Sequence, residues 1–165
     1  MNQNHTVSVR VFDERGYLVG PVEAPRVVKS EDEWQRQLTP EQFQVARAHG
    51  TERPFCGTLV DQKQPGIYSC RLCGLPLFRA AEKFESGTGW PSFTTPFDDA
   101  HLKSIRDTQY GMVRTEIRCA RCDSHQGHVF PDGPPPTGKR YCINSISLTF
   151  TPDGEPLRDV LARND

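Results

Sequence analysis

The stretch Arg140-Tyr141-Cys142-Ile143-Asn144-Ser145-Ile146-Ser147-Leu148-Thr149-Phe150, RYCINSISLTF, decides how the chain is read. Apolar and polar residues alternate along it, the pattern of one long, half-buried strand. At period two, Cys142, Asn144, Ile146, Leu148 and Phe150 share one face, with Ile143, Ser145, Ser147 and Thr149 on the other. A thiol and an amide on an otherwise apolar face suit a pocket floor, whereas in a core strand Asn144 would need partners for its amide. A structural cysteine there could be any small apolar residue, so the sulfur of Cys142 calls for a use. Arg140 points to the same face, where a guanidinium lowers a thiol pKa; the bland alternative is a solvated surface arginine.

Outward from that strand the texture is of short strands and turns. The 165 residues are 35% hydrophobic and include 14 prolines and 13 glycines, which points to a loop-rich, mainly β domain. Candidate strands are GIYSC, LPLF, GMVRTEIRC and GHVF, and GPPPTG reads as a stiff loop. Ser30 with Glu33 and Thr39 with Gln42 form two capping boxes, the second with Pro40 at the first helical position, so two short helices are expected, ending near Gly50. Residues 1–29 read as an attached extension in which TVSVRVF and YLVGPVE pair as an edge hairpin around DERG. Residues 30–152 form the main domain, and 153–165 a tail in which EPLRDVLARND is read as a frayed helix.

Twenty basic residues against 21 acidic ones give a net charge of -1, no field for nucleic acid or an anionic membrane, and no stretch approaches a membrane span. MNQNHTVSVR has no signal-peptide pattern, so a cytoplasmic setting is expected. Thiols stay reduced there, so the six cysteines read as metal ligands or catalysts before disulfides.

Four of them make two Cys-x-x-Cys knuckles, Cys70/Cys73 and Cys119/Cys122, separated by 45 residues. Each knuckle offers two soft ligands, and two knuckles close a tetrahedral structural zinc site that staples separate strand ends. A redox Cys-x-x-Cys or an iron-sulfur centre are the competing readings; the first would want a strand before and a helix after it. Cys56 and Cys142 remain. His125 and His128, three apart in HQGHVFPDG, follow the second knuckle closely, which the metal would hold in place. Each alone is an ordinary structural histidine, but the pair beside a glycine turn and upstream of a lone strand cysteine suits acid-base chemistry around a thiol. Trp90, in GTGWPSF, reads as a rigid wall on an exposed loop, or else as a core aromatic.

In chain order, GTERPF, the two knuckles, FESGTGWPSF, HQGHVFPDG and RYCINS resemble the B-type methionine-R-sulfoxide reductases, over about residues 30–150. The resemblance implies a fold of two antiparallel sheets, tent-like, with short N-terminal helices and a zinc site remote from the chemistry. It implies Cys142 as nucleophile, His125, His128 and Asn144 around the sulfoxide oxygen, and Trp90, Phe130 and Arg140 in the substrate site. The chemistry suits these residue types: a sulfoxide sulfur is attacked by a thiolate while its oxygen takes a proton, leaving a cysteine sulfenic acid for a second thiol to reduce. Where many members carry the recycling cysteine this chain has Thr88, so Cys56 is expected to resolve the sulfenic acid as a disulfide with Cys142, reduced in turn by thioredoxin. An inert Cys56 with an external thiol is the competing reading. Two further alternatives stand beside the reductase. One is a cysteine hydrolase using Cys142, histidine and Asn144; the other is a zinc-ribbon interaction module without catalysis.

Overall fold

Both capping boxes close as the sequence dictates, and they set the start of the main domain. In the computed structural model, which describes residues 5–13 and 15–161, helices α1 (Glu31–Gln37) and α2 (Pro40–Ala46) follow a hairpin of β1 (Thr6–Phe12) and β2 (Leu18–Pro25). The Ser30 hydroxyl accepts from the Glu33 amide at 3.2 Å and the Glu33 carboxylate accepts from the Ser30 amide at 3.0 Å; Thr39 and Gln42 repeat the exchange. Each box satisfies two amides that a helix start leaves orphaned.

The rest is strand: β3 (Gly66–Cys70), β4 (Pro76–Arg79), β5 (Lys83–Phe84), β6 (Ser92–Phe93), β7 (Leu102–Asp107), β8 (Arg114–Cys119), β9 (His125–Phe130), β10 (Arg140–Ile143) and β11 (Leu148–Pro152). They form a six-stranded sheet in the order β5-β6-β10-β9-β8-β7 and a three-stranded sheet β11-β3-β4, antiparallel throughout. Among the described residues no helix is long and apolar enough to cross a membrane. Strands β5, β6 and β7 carry no clear alternation in sequence, and the first two are only two residues long.

The structure corrects the opening stretch. RYCINSISLTF is not one strand: β10 ends at Ile143, Ser145–Ser147 make a 3-10 turn, and β11 enters the other sheet. The physical cause lies far away in sequence. Both oxygens of the Glu52 carboxylate accept from the amides of Ser145 (2.8 Å) and Ile146 (2.9 Å), holding donors that a continuing ladder would have used. The single apolar face therefore does not exist; Leu148 and Phe150 belong to the second sheet, with the Phe150 ring 4.9 Å from that of Tyr68. The tail is corrected too, since residues 155–161 form no helix, although Val160 is buried.

Within β10 the alternation holds and sorts the residues. Tyr141 pairs with Phe93 on the inner side, and the rings of Tyr68, Phe78, Phe93 and Tyr141 bridge the two sheets, Phe78 stacked on Phe93 at 4.3 Å. Truncating a buried ring of this kind costs about 3–5 kcal/mol. Cys142, one residue on, faces the other way.

The hairpin is docked on the main domain. Val9 and Ala24 are buried, the Arg10 amide donates to His101 Nε2 at 3.0 Å, and His101 Nδ1 donates to the Pro76 carbonyl at 2.6 Å. Burial pushes the His101 pKa down, in keeping with a neutral ring using both nitrogens as connectors. Arg121, inside the second knuckle, donates to the carbonyls of Pro25 and Cys73, both at 2.8 Å.

Candidate active site and sulfur cluster

The knuckles terminate strands of different sheets, Cys70 ending β3 and Cys119 ending β8. They are built alike. In each, the first cysteine's amide donates to the carbonyl five residues on (Leu75, Ser124), and the amide four residues on (Gly74, Asp123) donates back to the cysteine carbonyl. Gly74 and Asp123 both take positive φ, which closes these turns. All four sulfurs lie within 4.8 Å of one another, with Cys70–Cys122 and Cys73–Cys119 each at 3.5 Å. A tetrahedron of sulfurs at zinc's usual bond length has edges of about 3.8 Å, so the set fits a four-coordinate dication closely. Burial pushes Cys73 and Cys119 well up, while Cys70 is held well below the usual thiol range because hydrogen bonds from its neighbours outweigh its burial. Four ionisable sulfurs in one dry space are stable as thiolates only with a cation among them. The Ser124 hydroxyl and the Gln126 amide brace Cys70 from outside.

Cys142 sits away from this cluster, half-buried on the outer face of the large sheet. Register places a row of residues across four strands: Ser92 opposite Cys142, Cys142 opposite His128, His128 opposite Glu116. Directly opposed residues share a face, so thiol, imidazole and carboxylate stand side by side. Gly127 lets β9 approach β10 this closely, because a Cβ there would collide with the Cys142 carbonyl. Burial raises the Cys142 pKa, against the pull of the Arg140 charge and of hydrogen bonds from Thr88 and Arg140. The expected lowering by Arg140 is present but loses to desolvation. Arg140 is itself held by Asp132, at 2.9 and 3.1 Å, and lies 4.4 Å over the Phe130 ring.

A spacing of three would put His125 and His128 on opposite faces of a regular strand. They meet because β9 bulges: Ile117 pairs with Gly127 but Arg118 with His125, leaving Gln126 extra. The two rings are 5.5 Å apart, edge to face. Each is tethered by one nitrogen, His125 Nδ1 to Glu116 Oε2 at 2.6 Å and His128 Nε2 to Asp107 Oδ2 at 2.9 Å. Burial pulls the His128 pKa down despite Asp107. The bulge carbonyl, Gln126 O, accepts from both the backbone and the side-chain amide of Asn144 at 2.9 and 3.1 Å.

The remaining wall hangs on Glu52. Its amide donates to Asn144 Oδ1 at 3.0 Å, its carbonyl accepts from the Trp90 indole at 3.0 Å, and its carboxylate caps the turn after β10. Asn144 is thus buried with both ends of its amide on backbone groups. Three residues beyond Glu52, the Phe55 amide donates to the Gly89 carbonyl at 2.7 Å. The exposed Cys56 therefore lies next to the loop whose Thr88 reaches the Cys142 sulfur.

A family model described as the SelR domain matches residues 38–152 of this chain. The chain belongs to the SelR family of B-type methionine sulfoxide reductases. Its relatives include a protein named peptide methionine sulfoxide reductase MsrB from Caulobacter vibrioides, 57% identical over 165 residues, covering 100% of this chain and 98% of the relative. Proteins of the same name from Xylella fastidiosa (59% over 128 residues, 78% of this chain and 83% of the relative) and Pseudomonas putida (58% over 127 residues, 77% and 97%) are also similar.

Cys142, His128, Phe130 and Arg140 thus stand on the paired strands β9 and β10, His125 joins them through the bulge, Asn144 and Trp90 are tied in by Glu52, and Cys56 lies on an adjoining loop. Four members of the constellation carried no signal by themselves. Glu52, Asp107 and Glu116 are carboxylates like any others in the sequence, and His49 is an isolated histidine after a helix. The capping of a distant turn, the strand register and the bulge make them part of the site.

Proposed function

We propose that the chain reduces methionine R-sulfoxide in peptides or proteins, with Cys142 as nucleophile, using a Cys56–Cys142 disulfide that thioredoxin recycles, and that the four-cysteine cluster holds zinc. One observation carries the reading: a half-buried thiol stands in register beside one imidazole, with a second imidazole brought to the same face by a bulge. Zinc bound to Cys70, Cys73, Cys119 and Cys122 supplies cross-linking of the two sheets and no reaction step.

The directions of the pKa shifts fit the chemistry. Burial holds Cys142 as a thiol and His128 as a neutral imidazole, so the resting pair is uncharged. As the sulfoxide sulfur approaches, His128 takes the thiol proton and the Cys142 sulfur attacks. The oxygen passes to Cys142 and is protonated at the expense of the neighbouring His125, which enters as the imidazolium and leaves neutral, so methionine leaves and Cys142 becomes a sulfenic acid. The sulfoxide sulfur gains the two electrons that Cys142 loses. Cys56 then attacks the sulfenic sulfur, releasing water and forming the disulfide, and a thioredoxin dithiol takes over the oxidation. Trp90, held edge-on by Glu52, offers a flat face to the S-methyl group, and Phe130 stacked under Arg140 lines the approach. Asn144 serves by fixing the bulge that carries His125. Preference for the R epimer, thioredoxin and a cytoplasmic setting come with the family reading.

The test offers resolved N-blocked methionine sulfoxide epimers with dithiothreitol. Only the R epimer is consumed, and Cys142→Ser consumes neither. Cys56→Ser releases one methionine per chain and then stalls with thioredoxin; undiminished thioredoxin-driven turnover would remove Cys56 from the cycle. A hydrolase would instead cleave unoxidised peptide, and a binding module would leave both epimers intact.

A further inference from the structure

The Glu116 carboxylate is shared by two imidazoles. His125 Nδ1 lies 2.6 Å and His49 Nδ1 2.9 Å from the same oxygen, Oε2, while Arg118 holds Oε1 at 3.0 Å. The three donors come from the loop after α2, from β8 and from β9, so the carboxylate is fixed from three directions. Burial pushes Glu116 up, but the hydrogen bonds from His125, Arg118 and His49 outweigh it and hold the group well below the usual carboxylate range. An ionised carboxylate only accepts hydrogen bonds, so both rings present Nδ1–H to it. That commits Nδ1–H of His125 to the carboxylate and leaves Nε2 as its working atom, which gives up a proton when the ring enters as the imidazolium. Nε2 is buried and has no hydrogen-bond partner among the described residues, in a residue only 2% exposed. His125 lines a cleft of about 390 Å³ together with His49 and His128.

His49 shows the mark of a residue held in place. Its φ is +59°, a left-handed conformation that a residue with a side chain adopts at a cost, and its ring packs edge to face on His125 at 5.6 Å. The same three atoms also have spacing a dication accepts. However, Arg118 sits on the carboxylate's other oxygen and Arg114 lines the cleft, so the arrangement is that of hydrogen bonds around an anion.

We propose that Glu116 is the positioning residue for His125, fixing the ring so that Nε2 meets the substrate oxygen, and that His49 is the strap that keeps Glu116 aligned. This rests on the reading of His125 as the proton donor to that oxygen. The groups facing the cleft that could compensate are Asp107, Arg114, Arg118 and His128. Asp107 is engaged by His128, Arg114 and the Gln109 amide, and the hydrogen bond of His125 Nδ1 goes to Glu116.

The decisive variant is Glu116→Gln in the zinc-loaded chain. A glutamine amide carries no charge to support the imidazolium and can donate where the carboxylate only accepted, which turns the neutral ring to the Nε2–H form, a far weaker acid, and kcat falls on the order of 10²- to 10⁴-fold with KM little changed. Nitrogen-15 NMR of the histidine rings reads this directly: the Nδ1–H form of neutral His125 in the parent, the Nε2–H form in the variant. Glu116→Asp restores the parent form and most of kcat, which a loss of bulk stability would not do. His49→Asn, which tolerates positive φ, lowers kcat on the order of tenfold and broadens the His125 signal. A folded Glu116→Gln with an unchanged His125 tautomer and unchanged kcat overturns the proposal, and if that variant does not fold, an unaltered His125 signal and kcat in His49→Asn does so. A flipped tautomer with unchanged kcat supports the positioning and sinks instead the donor role of His125.

Discussion

Two sets of sulfurs in this molecule live by opposite rules. The four knuckle cysteines are sealed, tied by turns of the same construction, and packed so that sulfur meets sulfur. Cys142 stands alone on the outer face of a sheet, partly open, with an arginine and a hydroxyl within reach. In the first set burial makes no sense without a shared cation; in the second, burial keeps a single thiol protonated until a base arrives. The lesson is that the same side chain becomes a staple or a reagent according to whether its neighbours are other sulfurs or acid-base groups.

The strongest way to break this contrast is to remove one sulfur from each set. For Cys119→Ser the expected outcome is loss of metal and of the fold together. Apparent binding free energies for structural zinc are about 10–16 kcal/mol, comparable to the whole stability of a domain, roughly 5–15 kcal/mol. Cys142→Ser removes one atom's chemistry at a half-open position and is expected to shift stability by less than about 1 kcal/mol. Metal analysis and circular dichroism melts check both. Equal destabilisation by the two would mean that Cys142 also belongs to the scaffold.

A second prediction concerns what separates the regions. Glu52 stops β10 and starts the turn toward β11, so it decides that Cys142 is in one sheet and Leu148, opposite the knuckle residue Cys70, in the other. Glu52→Gln removes the charge from both capping bonds and forces one amide to face a poorer acceptor. Hydrogen bonds to charged groups are worth about 1.5–3 kcal/mol, so a loss of about 2 kcal/mol is expected. In a chain of this size that lowers Tm by roughly 4–8 °C. Trp90 loses its anchor at the same time, and its fluorescence shifts to the red. A lower Tm with unchanged Trp90 emission would show that the cap and the aromatic wall are independent.

How much of this was legible beforehand follows from the range of the interactions. The capping boxes, each knuckle and the hairpin are local, reaching at most from Thr6 to Pro25, and sequence spacing carries them. The break in RYCINSISLTF depends on a carboxylate more than 90 residues earlier, and its alternation reads on smoothly through the turn. The pairing of His125 with His128 was readable as a motif, yet the bulge that makes it geometrically real depends on strand register. Asn144 reads in sequence as an amide in want of partners; that those partners are the Glu52 amide and the Gln126 carbonyl comes only from the fold. The tail looks helical by composition, but its described residues are irregular, with Val160 buried.

The smallest expected effect sharpens the contrast most. Burial raises the Cys142 pKa above its usual value of 9.0, so the folded state holds that proton more tightly than the unfolded chain does. The sign follows: stability is fully present below the unfolded thiol's pKa and is lost as pH rises through the raised folded value, at up to about 1.4 kcal/mol per pH unit for one group. Melting curves taken upward from pH 9 are expected to fall less steeply in Cys142→Ser than in the parent. Tyr68 and Tyr141, whose pKa values burial also raises, remain in both proteins and cancel in the difference. Knuckle sulfurs bound to a metal would already be thiolates in the folded state and contribute no proton release in that range, so a slope in Cys142→Ser as steep as the parent's would show that burial of Cys142 does not hold the proton.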